Sequence, residues 1–179
     1  MKTIASLFLI MVGLSLGCCT TKPKQNEVTR QEIKQPMMDV NRQLIKQESE
    51  RINSYIERRS YKAEATGTGL RMVWLKKNNT EGKRPVEGDV ATVKYKIELL
   101  DGTVCYSSDE KGPRSFKVAA DNVESGLHEG IQLMQPGEKA IMIMPPHLAH
   151  GMRGDEDKIP PLSTLVVTLD FVSFSSKKK

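Results

Sequence analysis

The sequence predicts an α+β fold: a twisted antiparallel sheet of about five strands wrapped on one short helix, preceded by an N-terminal amphipathic helix. Three patterns carry this. Ala91, Val93, Tyr95, Ile97 and Leu99 alternate with polar residues, and Leu165, Val167, Leu169 and Phe171 repeat the alternation near the C-terminus; a period of two marks a half-buried strand. Val123, Leu127 and Ile131 fall at i, i+4 and i+8 and are followed by Pro136 and Gly137, which stop a helix. Val40, Leu44, Ile45, Ile52, Tyr55 and Ile56 recur at helical spacing among charged residues, with Asp39 placed to cap the start. Neither the strands nor the short helix shows a second apolar face, so the sheet is expected to close over that helix alone.

Taken in order, the chain begins MKTIASLFLIMVGLSLGCC, a positive Lys2 followed by an apolar run from Ile4 to Leu16 and small Gly17. That is a signal-peptide pattern over residues 1–17, and its apolar run is shorter than the roughly 20 residues that span a bilayer. The cysteine after Gly17 resembles the lipobox of bacterial lipoproteins. The resemblance implies diacylation of Cys18, with Cys19 as the alternative, and so a membrane attachment through an N-terminal lipid anchor at the bacterial cell envelope, facing the periplasm. Residues 18–37 are polar, without apolar periodicity, and read as a flexible tether.

Residues 38–62 form the amphipathic helix. Its stripe is thinned at Gln47, Glu48 and Ser49, which leaves three roles open: packing on its own domain, acting as a spacer, or forming a homodimer with a second copy. The domain proper is expected over residues 67–174. Leu70 to Lys76 is a strand, NNTEGKRPVEGD is turn-rich, Asp101-Gly102 signals a hairpin after the strand ending at Leu99, and Glu138 to Met144 is a mostly apolar strand whose methionines belong to the core. The run Asp155, Glu156, Asp157 reads as a solvated loop tip. Residues 175–179 are a basic tail.

At 179 residues with 38% hydrophobic and 27% charged residues, the chain has room for one domain and an appendage. The net charge of +5 is dispersed apart from Lys177, Lys178 and Lys179, which argues against a nucleic-acid interface. Cys18, Cys19 and Cys105 make no disulfide framework. His128, His147, His150 and Cys105 have no recognised ligand spacing, so no metal and no cofactor is expected.

Three stretches together resemble the FKBP-type prolyl isomerases: VEGDVATVKYKIELLDGTVCYSS, VESGLHEGIQLMQPGEKAIMIMPPHLAHG, and IPPLSTLVVTLDF. The lipoprotein signal, INSYIERR, the GTGL start and VESGL resemble more narrowly the gliding-motility-associated isomerases of the Bacteroidetes. The family resemblance implies cis–trans isomerisation of prolyl bonds in polypeptide clients, here during folding of envelope proteins. It implies Tyr95, Tyr106 and His150 as catalytic groups, with Cys105, Phe116, Val123, Glu124, Leu127, Ile159 and Val167 binding substrate; Tyr95, Leu127 and Ile159 should face one apolar hollow. Leu127 stands in place of a Trp and Val167 in place of a Phe, which makes the pocket shallower. Cys105 and Tyr106 occupy the place of a Phe-Asp pair, and His150 that of a tyrosine. Arg114 replaces an aromatic; Glu124 and Lys158 replace aliphatics. Charges beside an apolar pocket keep water near it, so weak turnover is expected, the alternative being a non-catalytic chaperone or adaptor module of the envelope.

Overall fold

The computed structural model describes residues 30–176, with side chains from Met38 onward. The signal segment, Cys18, most of the tether and the last three lysines lie outside the described residues. The first helix, α1 (Arg30–Arg58), starts eight residues before the expected boundary. Residues 30–37, expected as the end of a flexible tether, are therefore helical, and Asp39 pairs with Arg42 at 3.3 Å inside the helix instead of capping it. Gln, Glu, Lys and Arg are good helix formers without any apolar stripe, which is why periodicity did not mark this turn.

The helix ends short of residue 62 through a Schellman arrangement. Ser60 takes a positive φ of 53°, its N–H donates to the Glu57 carbonyl at 2.9 Å, and the Tyr61 N–H donates to the Ile56 carbonyl at 3.1 Å. Glycine is the usual occupant of that position; a serine there leaves no sequence mark.

The sheet has seven antiparallel strands: β1 (Ala63–Ala65), β2 (Arg71–Lys76), β3 (Val90–Leu99), β4 (Val104–Ser107), β5 (Arg114–Lys117), β6 (Lys139–Met144) and β7 (Leu165–Ser175). Their order is β1-β2-β6-β7-β3-β4, with β5 also paired to β3. The two strands beyond the expected five, β1 and β5, are only three and four residues long, too short to display alternation. β4 and β5 share one edge of β3, and between them sits a single turn of helix, α2 (Ser108–Lys111). At that gap the Tyr95 N–H, which has no strand partner there, donates to Ser108 Oγ at 3.1 Å. The hairpin at Leu100–Gly102 closes with the Leu99 N–H on the Thr103 carbonyl at 2.9 Å, Gly102 at φ 92°, and the Asp101 carboxylate accepting from the Thr103 N–H at 2.8 Å.

The concave face wraps α3 (Ser125–Leu133), and its core includes Leu127 and Ile131 of the helix with Met142, Met144, Leu169 and Phe171 of the sheet. The helix lies close to β6: a Cβ on Gly130 would stand 2.5 Å from the thioether end of Met142, which would have to shift to admit it. The expectation that the sheet has no second apolar face is overturned. Ile52 and Tyr55 of α1 pack with Val73, Ile141, Ile143 and Val166 on the opposite face. The unbroken run Ile141-Met142-Ile143-Met144 is thus buried on both sides, the behaviour of a strand covered by helices front and back. Of the three roles left open for α1, its C-terminal half takes the first, packing on its own domain. Val40, Leu44 and Ile45, in the same stripe, remain 50–57% exposed.

Candidate functional site

Between the sheet and the start of α3 lies a hollow lined by Val93, Tyr95, Ile97, Arg114, Glu124, Leu127, Met144, Val167 and Leu169. Its origin is simple alternation. Val93, Tyr95 and Ile97 stand two apart on β3 and so share a face, and the register pairs Tyr95 with Leu169 and Ile97 with Val167, which brings four of the lining residues side by side. Leu127 closes the hollow from the first turn of α3, and Met144 from the end of β6. The enclosed space is only about 10 Å³, about the room one water needs, so a proline ring enters only if side chains move.

The side chains at its edge are charged. Glu124 precedes α3 and has no side-chain bond to the helix N-terminus. Its carboxylate is turned the other way, with Oε1 3.2 Å from His150 Nε2 and Oε2 3.7 Å from an Arg114 nitrogen. The Glu124 side chain is 9% exposed, against 38% for Arg114. Oε2 is buried without a hydrogen bond.

Of the residues the sequence nominated, Tyr95, Glu124, Leu127 and Val167 line the hollow. Cys105, Phe116 and Ile159 are buried in the same core without reaching the lining, and Val123 packs half-buried against it, just ahead of the helix. Tyr95 and Leu127 therefore do share a hollow, while Ile159 backs the core beside it. Burial raises the Cys105 thiol above its ordinary pKa, and its sulfur approaches only the Lys158 and Thr103 carbonyls. Phe116 meets the His128 ring edge to face, with centroids 5.7 Å apart.

The three nominated donors differ sharply. The Tyr106 hydroxyl lies 2.5 Å from Asp155 Oδ2 and 3.1 Å from Asp157 Oδ2, so its single proton is committed to carboxylates, and those bonds raise its pKa. His150 faces Glu124. Tyr95 alone has a hydroxyl with no hydrogen bond among the described residues, and it borders the hollow.

Of the run read as a solvated loop tip, Glu156 and Asp157 are exposed as expected, but Asp155 is half-buried and hydrogen-bonded within the loop. Burial would raise its carboxyl, but hydrogen bonds from the Tyr106 hydroxyl and from the N–H groups of Ile159 and Asp157 outweigh that and hold its pKa at about 2. Oδ1 takes the Ile159 N–H at 2.7 Å and the Asp157 N–H at 3.0 Å. Next to it, Gly154 sits at φ 71° where a Cβ would stand 2.1 Å from the Ile159 carbonyl. This folded loop fixes Ile159 in the core.

Residues the sequence reading did not nominate include Val93, Ile97 and Leu169, which the alternation around Tyr95 and Val167 already places on the same face. Met144 and Arg114 complete the lining; Arg114 stands where the family resemblance set a charge beside the pocket, whereas nothing local marks Met144. Among the described residues no cluster of three His, Cys, Asp or Glu stands close enough to hold a metal, and no helix is long and apolar enough to cross a membrane.

A curled antiparallel sheet, one helix against its concave face and an apolar hollow at the start of that helix define a class of small α+β domain. Residues 81–171, just over half of the chain, match the model of the FKBP-type peptidyl-prolyl cis-trans isomerases, and the chain belongs to that family. It is 43% identical over 91 residues to FK506-binding protein 2 of Yarrowia lipolytica, across 50% of this chain and 63% of the relative. It is 38% identical over 112 residues to the probable FKBP-type isomerase FkpA of Neisseria meningitidis, across 62% of this chain and 40% of that protein. The chain thus spans less than two thirds of either relative. Among solved structures, FkpA from Escherichia coli superposes with a TM-score of 0.60 at 28% identity, covering 83% of this chain and 74% of that one.

Proposed function

We propose that the chain is a peptidyl-prolyl cis-trans isomerase acting on proline-containing polypeptides during folding of envelope proteins, with weak turnover. The observation that carries this is the hollow lined by Val93, Tyr95, Ile97, Leu127, Val167 and Leu169 within the segment that matches the family. Rotating a prolyl amide crosses a barrier of about 18–20 kcal/mol and requires neither nucleophile nor metal. An apolar hollow strips water from the ring and the amide, and a donor that fits the twisted amide better than the planar one lowers the barrier. Tyr95 is the donor assigned here, since Tyr106 and His150 already face carboxylates. Leu127 and Val167 contact the ring; Ile159, Val123, Phe116 and Cys105 shape the wall behind it.

Weak turnover follows from the small volume and from Glu124 and Arg114 at the edge, both of which must shift before a ring binds. The same observation favours a second reading, a non-catalytic chaperone or adaptor. A protease-coupled assay on a prolyl tetrapeptide separates the two: a rate above background that falls several-fold in Tyr95→Phe supports the isomerase, and a background rate with the peptide still bound supports the adaptor.

Attachment to the envelope through Cys18, facing the periplasm, is supported by the signal pattern of residues 1–19, and kinship with the gliding-motility isomerases by INSYIERR, GTGL and VESGL. Pairing of two copies through α1 is supported by the exposed stripe at Val40, Leu44 and Ile45. Mass measurement of the full chain in detergent tests the pairing: a monomer at tens of micromolar removes it.

A further inference from the structure

We propose that Glu124 gives the hollow a substrate preference: prolyl segments carrying a basic side chain next to the proline. The inference rests on the hollow being the prolyl site, and it adds which sequences that site takes.

Glu124 is the most buried charged side chain at the hollow, and one of its oxygens has no hydrogen bond. A buried acceptor without a hydrogen-bond donor has lost its water and holds only the looser attraction of Arg114 at 3.7 Å, so a donor brought to it adds a bond the free chain does not make. Neither neighbour supplies that donor: His150 faces the other oxygen, and Arg114 stays at 3.7 Å, beyond hydrogen-bond range. Arg114 is over a third exposed and keeps its hydration, so an acidic substrate residue meeting it would gain little. The asymmetry between the buried anion and the solvated cation fixes the sign of the preference.

Geometry selects the position as well. With about 10 Å³ enclosed, the hollow takes at most the ring once side chains shift, and the residues flanking the proline are left at the edge where Glu124 and Arg114 lie. A Lys or Arg there can swing its cation onto Oε2 as Arg114 moves outward; a leucine leaves the oxygen bare, and a glutamate repels it. The other charged groups nearby are grouped around Tyr106: Lys111 and Lys158 lie over its ring, 4.5 and 5.3 Å from the centroid, and Asp155 and Asp157 hold its hydroxyl. The two signs offset one another there.

The test uses the full chain in detergent and tetrapeptides with Lys, Leu or Glu immediately before or after the proline, each read for binding by titration and for isomerisation by exchange. Lys is expected to exceed Leu by about tenfold at one of the two positions, the scale of one charge-assisted hydrogen bond, with Glu weakest. The order should collapse in Glu124→Gln, which keeps the shape and removes the charge, and steepen in Arg114→Ala, which removes the competing cation. Catalysis without a Lys preference at either position overturns the inference and leaves the isomerase standing. Binding that favours Lys without catalysis supports the inference and points to the adaptor. A Lys preference that survives Glu124→Gln overturns the role of Glu124.

Discussion

Replacing Asp155 with alanine removes one carboxylate that holds three donors: the Tyr106 hydroxyl on Oδ2, and the Ile159 and Asp157 N–H groups on Oδ1. A carboxyl held at about 2 instead of its ordinary 3.8 corresponds to roughly 2.4 kcal/mol at 1.36 kcal/mol per unit; because the group is partly exposed, solvent screening reduces this to about 1–2 kcal/mol. Since the folded-state pKa is depressed, the contribution is fully present above the unfolded value near 4 and is lost as pH falls through the folded value near 2. Asp155→Ala should therefore lower the urea midpoint at pH 6, with a melting temperature reduced by about 2–8 °C, and the gap from wild type should narrow in urea titrations stepped from pH 5 to pH 3. A gap that stays constant over those steps, or no gap at pH 6, would refute the assignment of Asp155 as the ionised hub of the loop.

Other substitutions probe the remaining parts. Ile52→Ala, in the cluster that joins α1 to the outer face of the sheet, should cost about 2–5 kcal/mol, whereas Leu44→Ala on the exposed half of the same stripe should stay within about 0.5 kcal/mol; equal urea midpoints would show that α1 is not docked. Gly154→Ala places a Cβ against the Ile159 carbonyl at positive φ and should destabilise by about 1–3 kcal/mol while weakening peptide binding, read by thermal melting and titration. Cys18→Ser should move the chain from the membrane pellet to the soluble fraction in cells, and Cys19→Ser should not; the reverse pattern would assign the lipid to Cys19.

Periodicity made the long elements legible. β3, β7 and the helix around Leu127 each span enough residues to show their repeat, and Asp101-Gly102 marked the hairpin. β4 was legible only through that turn, and β1 and β5 were not legible because three or four residues cannot show a repeat. The second covered face had a signal, the unbroken apolar run of β6 and the Ile52-Tyr55-Ile56 stripe on α1, but each is also compatible with an ordinary core strand or a free helix until both are seen in contact. At the site, the β3 and β7 lining residues follow from alternation around Tyr95 and Val167. The charged groups do not. Asp155 has the composition of a solvated tip and becomes a hub only because the loop turns the Ile159 N–H back onto it. Glu124 reads as a rim charge, and its burial between Arg114 and His150 depends on three separate elements converging.

The most direct check on the hollow as a prolyl site is exchange spectroscopy between the cis and trans forms of a prolyl peptide in the presence of a small fraction of the full chain. Exchange faster than that of the peptide alone, reduced when Tyr95 is replaced by phenylalanine, is the expected result. A rate equal to that of the free peptide, under conditions where the peptide is shown to bind, would contradict it.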